Sequence, residues 1–238
     1  MMSYSVTQDD ILSVTADAAV LCVENAMVIT DAPVCLRLAE AGGATLRRAL
    51  DSRKQFLPVG SADVLPGFVI PSFAHTLITA APRWENTRGN EILILHRCYQ
   101  SCFRLAEELG CRTLVMPFLS TFYYGFPQED AIHIAFVEAG KTPLSVTFVA
   151  DSPALCTLSQ KPYRKPEIAS YIGYYRDHAI FELENGRFAR VDLRPEITDV
   201  TLVPYFEPCF RVGNNPLQEP LPDTEIQRLM AIYRESEW

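Results

Sequence analysis

Thr113-Leu114-Val115-Met116-Pro117-Phe118-Leu119-Ser120-Thr121-Phe122-Tyr123-Tyr124-Gly125-Phe126-Pro127 passes from an apolar run, through a polar and aromatic loop, to a proline. The first five residues read as a buried strand. Gln128 to Ala139 reads as the helix that follows. A loop between a strand and a helix start presents backbone N–H groups on one side. Together with the helix N-terminus, these make a nest for an anion such as a pyrophosphate.

Outward from this stretch, strand and helix patterns alternate. Ala18 to Val23 is a short, continuous apolar run, and Phe73 to Ile78 reads as a central strand. Pro33 opens a helical pattern that Gly42-Gly43 closes, with another turn at Leu46 to Leu50. The clearest helix runs from Glu91 to Leu109, with Ile92, Leu95, Tyr99, Cys102, Phe103 and Ala106 on one stripe and Gly110 as its stop. Ser145 to Val149 completes the series. The alternation predicts a largely parallel sheet covered on both faces, with ligand loops at the carboxyl ends of its strands.

After Ala150 the pattern changes. Asp151 to Pro166 holds three prolines and reads as a linker or strap. Ala179 to Leu183 and Phe188 to Asp192 flank Asn185-Gly186 and read as a hairpin. Thr201 to Phe206 reads as a further strand, and Asp223-Thr224 as the cap of a last helix bearing Ile226, Leu229, Met230 and Tyr233. The division expected is therefore 1–150 and 151–238. The aromatics Tyr171, Tyr174, Tyr175, Tyr205, Phe206 and Phe210 of the second part suit a cover or a partner-binding surface.

Composition narrows the functional classes. A net charge of −8 argues against a nucleic-acid surface, which needs Lys and Arg to neutralise phosphates. No apolar run approaches the roughly 18 residues of a membrane span. The N-terminal residues carry no secretory pattern. Seven cysteines, mostly inside apolar runs, predict reduced thiols and a cytoplasmic setting rather than a disulfide framework. Cys98 and Cys102, four residues apart, read as core. His75, His96, His133 and His178 lack metal-ligand spacing, so no metal and no cofactor are expected.

Four segments resemble the macrodomain family, over about residues 3–150. They are Asp10-Ile11 with Ala16-Asp17-Ala18-Ala19-Val20; Gly60-Ser61-Ala62 with Gly67-Phe68-Val69-Ile70-Pro71 and Ala80-Ala81-Pro82; the helix around Cys98 to Ala106; and Met116 to Pro127, which is similar to F-P-x-I-S-T-G-x-Y-G-Y-P. The resemblance implies an α/β fold of three α/β/α layers, with a mixed, mostly parallel central sheet. The C-terminal hairpin and helix form an extension to it. It also implies a cleft for ADP-ribose or an ADP-ribosylated protein. Asp10 and Ile11 would then meet the adenine, and Ser120, Thr121, Phe122, Tyr123, Tyr124, Gly125 and Phe126 the phosphates and sugars. A carboxylate suits an exocyclic amine because it only accepts hydrogen bonds.

Three departures bear on catalysis. The family's N-A-A-N ends in an Asn that meets the distal ribose, where this chain has Glu24 or, with a one-residue slip, Asn25. The family's Gly-Gly-Gly loop is replaced by Thr30-Asp31-Ala32-Pro33, in which Pro33 has no N–H to give. Phe122 stands where the family has Gly. Glu24, Asn25 and Asp31 are thus the candidates for hydrolysis, with Glu24 or Asp31 activating a water. Three readings stay open: a binding module, a hydrolase that removes ADP-ribose from modified targets, and a non-catalytic scaffold that works through its C-terminal extension.

Overall fold

The computed structural model describes residues 4–53, 56–84, 91–122, 124–175, 177–196, 200–203 and 221–236. The expected features at Tyr123, Tyr205, Phe206, Cys209 and Phe210 lie outside them, as does the side chain of Tyr175. The chain divides into two compact units, 1–84 with 93–163, and 85–92 with 164–238.

In the first unit, Tyr4–Thr7 (β1), Ala18–Val23 (β2), Ala62–Leu65 (β3), His75–Ala80 (β4), Thr113–Pro117 (β5) and Ser145–Val149 (β6) form one sheet. Its order is β1-β6-β5-β2-β4-β3. Every neighbouring pair is parallel except β3 with β4 at the edge. All six side chains of β2 are buried. Because successive side chains point to opposite faces, burial of every one means that both faces are covered. The covering helices are Pro33–Asp51 (α1), Glu91–Glu108 (α2), Gln128–Ala139 (α3) and Pro153–Ser159 (α4).

Two sequence expectations change here. Gly42-Gly43 does not end α1; the helix kinks at Gly43 (φ 50°, ψ −134°) and continues to Asp51. That backbone region is open to glycine almost alone, so a pair of glycines makes a bend rather than a stop. The stretch expected as a linker from Asp151 to Pro166 contains α4. The Ser152 hydroxyl accepts from the Leu155 amide at 3.2 Å and Pro153 opens the first turn. At the far end of the sheet, Asp17 accepts from the amides of Arg112 and Thr113 and from the Thr113 hydroxyl, tying the entry of β2 to that of β5.

The second unit holds Ile168–Tyr175 (β7), His178–Leu183 (β8), Phe188–Asp192 (β9) and Val200–Val203 (β10), an antiparallel sheet in the order β10-β9-β8-β7. The Asn185-Gly186 turn joins β8 to β9 as expected. Its helix, Asp223–Glu235 (α5), buries Leu229 and Tyr233. Asp223 is not the cap. Pro222 occupies that position without a side-chain bond, and Asp223 lies in the first turn, where a carboxylate meets the positive helix end. No helix among the described residues is long and apolar enough to cross a membrane.

Candidate functional site

The five parallel strands end at Thr7, Val23, Ala80, Pro117 and Val149, so the segments that follow them gather at one edge of the sheet. These segments carry Asp10, the 24–31 turn, Ala81 to Trp84, Phe118 to Pro127, and Asp151.

The segment after β5 is braced from three sides. The Tyr99 hydroxyl of α2, deep in the core, accepts the Leu119 amide at 2.8 Å. The Ser120 hydroxyl donates to the Pro82 carbonyl at 2.8 Å, and the Thr121 hydroxyl to the Phe118 carbonyl at 2.9 Å. Gln128 donates to the Thr121 carbonyl and the Trp84 amide to the Tyr124 carbonyl. Phe126 packs against Trp84, ring centroids 4.6 Å apart. Ser120 (φ 64°) and Gly125 (φ 66°) both adopt the left-handed region. Phe122 does not, so a bulky residue sits there without backbone strain. Among the described residues, no protein acceptor meets the amides of Ser120, Thr121, Phe122 or Gly125. The hydroxyls therefore hold the loop's shape.

The turn after β2 is a tight hairpin. The Glu24 amide donates to the Val28 carbonyl at 2.7 Å, Met27 takes a positive φ of 64°, and Thr30 returns its amide and hydroxyl to the Cys22 carbonyl. Asn25 is exposed, and its carbonyl accepts the Leu57 amide. Asp31 is exposed. The α1 N-terminus that follows has no cap from Ala32. Instead Asp151, at the end of β6, accepts the Val34 amide at 3.0 Å. Burial pushes the Asp151 carboxyl up. This helix end therefore already meets an acidic group of the chain.

Between the two segments lies a crevice whose lining includes Cys22, Cys35, Phe118, Ser120, Phe122 and Tyr124. Its enclosed part has room for about one water molecule. Phe122 is half exposed, whereas Tyr124 and Phe126 are buried. Burial pushes the Cys22 thiol up, and the Cys35 thiol up to about 11. Both stay protonated at neutral pH and offer no nucleophile.

Asp10 stands after β1. Its carboxylate accepts the Leu12 amide at 3.0 Å and the Arg37 Nε at 2.8 Å. These two bonds, the amide first, hold it below the ordinary carboxylate value. Ile11 beside it is buried. On the other flank, Glu24 is ion-paired with Arg83 at 2.9 Å, and Arg83 lies over the Tyr124 ring, 5.1 Å from its centroid. Sequence reasoning missed Arg83, Tyr99 and Asp151. Tyr99 looks like one more member of a core stripe, and the partners of the other two lie 59 and 117 residues away. Among the described residues no cluster of three or more His, Cys, Asp or Glu side chains is arranged for a metal.

Comparison with known proteins agrees with this fold. The Macro domain family profile matches residues 24–135. The chain is 33% identical over 138 residues to O-acetyl-ADP-ribose deacetylase 1 of Pantoea vagans, covering 57% of this chain and 80% of that protein. The fold is shared with an Oceanobacillus iheyensis macrodomain with ADP (TM-score 0.61, 21% identity, 66% of this chain and 87% of that one). It is also shared with a Trypanosoma brucei macrodomain in complex with ADP-ribose (TM-score 0.57, 20% identity, 66% and 67%). With its parallel sheet, its braced loop after β5 and these relatives, the chain belongs to the macro domain family.

Proposed function

We propose that this chain binds ADP-ribose or a closely related nucleoside diphosphate, free or attached to a protein. The observation that carries the reading is the β5 loop at the carboxyl end of a central strand, where, among the described residues, the amides of Ser120, Thr121, Phe122 and Gly125 meet no protein acceptor. The sheet order supports a linear arrangement of the ligand. Asp10 follows β1, two strands from β5 and so roughly 10 Å from it, which suits a base at one end and phosphates at the loop. Each Asp10 oxygen makes one of the bonds described and keeps acceptor capacity for an amino group. The Glu24 turn, on the other side of β5, suits the distal sugar.

The crevice has room for about one water molecule, far less than the roughly 300–1,000 Å³ typical of small-molecule sites, so binding requires it to open, with Phe122 swinging outward. Exposed and free of backbone strain, Phe122 can make that movement. Binding without turnover is favoured over hydrolysis, because Glu24 and Thr30-Asp31-Ala32-Pro33 replace the Asn and the glycine-rich loop of the family, and Asp31 is exposed. A thermal-shift titration with ADP-ribose tests the reading. At one hundred times its Kd the ligand should stabilise the fold by about 2.7 kcal/mol. No shift at millimolar ligand would remove the proposal.

A further inference from the structure

The ion pair between Glu24 and Arg83 joins the turn after β2 to the segment after β4. Both groups are close to half exposed, with side chains 40% and 48% accessible. The backbone around Arg83 is fixed by its neighbours. Pro82 before it accepts the Ser120 hydroxyl, and Trp84 after it donates its amide to the Tyr124 carbonyl. The Arg83 Cα is thus pinned to the β5 loop at both neighbours, while its guanidinium rests on Tyr124 and reaches across to Glu24. A solvent-exposed pair of this kind is weak and easily exchanged. Tyr124 lines the crevice, so the cation rests on one of its lining residues.

We propose that Arg83 is a ligand-exchanged latch. With the crevice empty it pairs with Glu24; with a diphosphate in the β5 loop it leaves Glu24, turns to the phosphate oxygens, and frees Glu24 to accept from the distal ribose hydroxyls. This rests on the nucleotide reading above and deepens it. A diphosphate carries more negative charge than a single carboxylate and offers the planar guanidinium two oxygens at once, so the exchange runs toward the ligand. It also removes the conflict between an acidic residue at this turn and an anionic ligand. While Arg83 remains close, the local charge stays balanced.

Calorimetric titration of the full chain with ADP-ribose, and with adenosine as the uncharged control, tests this. Arg83→Met should weaken ADP-ribose by about tenfold and leave adenosine unchanged, with Arg83→Lys recovering part of the loss. Glu24→Gln should tighten ADP-ribose severalfold by releasing Arg83, and that gain should vanish in the Arg83→Met background. A gain that persists in the double variant would show that Glu24 only repels the ligand, and would overturn the latch. Equal ADP-ribose affinity in wild type and Arg83→Met would overturn it too while leaving nucleotide binding intact. No binding by wild type at millimolar ligand would remove both. Melting curves of each variant separate lost folding from lost affinity.

Discussion

Ser120 holds the sharpest bend of the site, with φ at 64° and its hydroxyl on the Pro82 carbonyl. Two physical demands meet there: a left-handed backbone, and a buried donor that must be satisfied. Ser120→Gly relaxes the first and loses the second, so its stability should stay within about 1 kcal/mol of wild type. Ser120→Val fails both and should destabilise by roughly 2–3 kcal/mol. Urea denaturation of the three proteins checks the order. The Ser-Thr and Tyr-Gly steps of this loop are legible in the sequence because their chemistry is local. The replacement of glycine by Phe122 looks more disruptive in sequence than in structure, because the positive φ falls at Ser120 and Gly125. Arg83 is illegible by the same logic, since a single arginine after a proline says nothing until folding brings Glu24 beside it.

At the scale of elements, the strands and helices of alternating pattern read well, because burial on both faces leaves a continuous apolar run and burial on one leaves a stripe. β2, β5, β6, α2 and α3 belong to this class. The misses share another cause. β1 is an edge strand of four residues and β3 is another, too short and too mixed to show a period. α4 is hidden among prolines whose role at a first turn resembles that of a breaker. In the second unit the end of β9 makes a pH-dependent contribution. Asp192 accepts from the Arg194 amide, Nε and Nη2, and this fork, above all the side-chain bonds, holds its carboxyl down to about 2. A depressed folded value means the stabilisation is full above the unfolded value near 4 and is lost as pH falls toward 2. The expected loss is roughly 2 kcal/mol, absent in Asp192→Asn. Amide hydrogen exchange across β8 and β9 between pH 5 and pH 2.5 measures it. Protection that does not fall in wild type would contradict it.

For the whole molecule, the family membership and the position of the β5 loop were readable because four separated segments keep their order and spacing. The C-terminal residues carry no such pattern, and the β7 to β10 sheet was legible at its hairpin and, with shifted bounds, at β10, but not at β7. The crevice itself could not be read, because its width depends on how Phe122 and the β2 turn pack. The helix end that a glycine-rich loop would have opened to a phosphate is instead met by Asp151, so the proposed function assigns the anion-receiving role to the β5 loop. The most direct measurement is a ¹H–¹⁵N amide titration of the full chain with ADP. The amides of Ser120, Thr121, Phe122 and Gly125 should show the largest shifts, saturating together, with Asp10 and Ile11 following. Shifts centred elsewhere, or an unmoved β5 loop at saturating ADP, would contradict it.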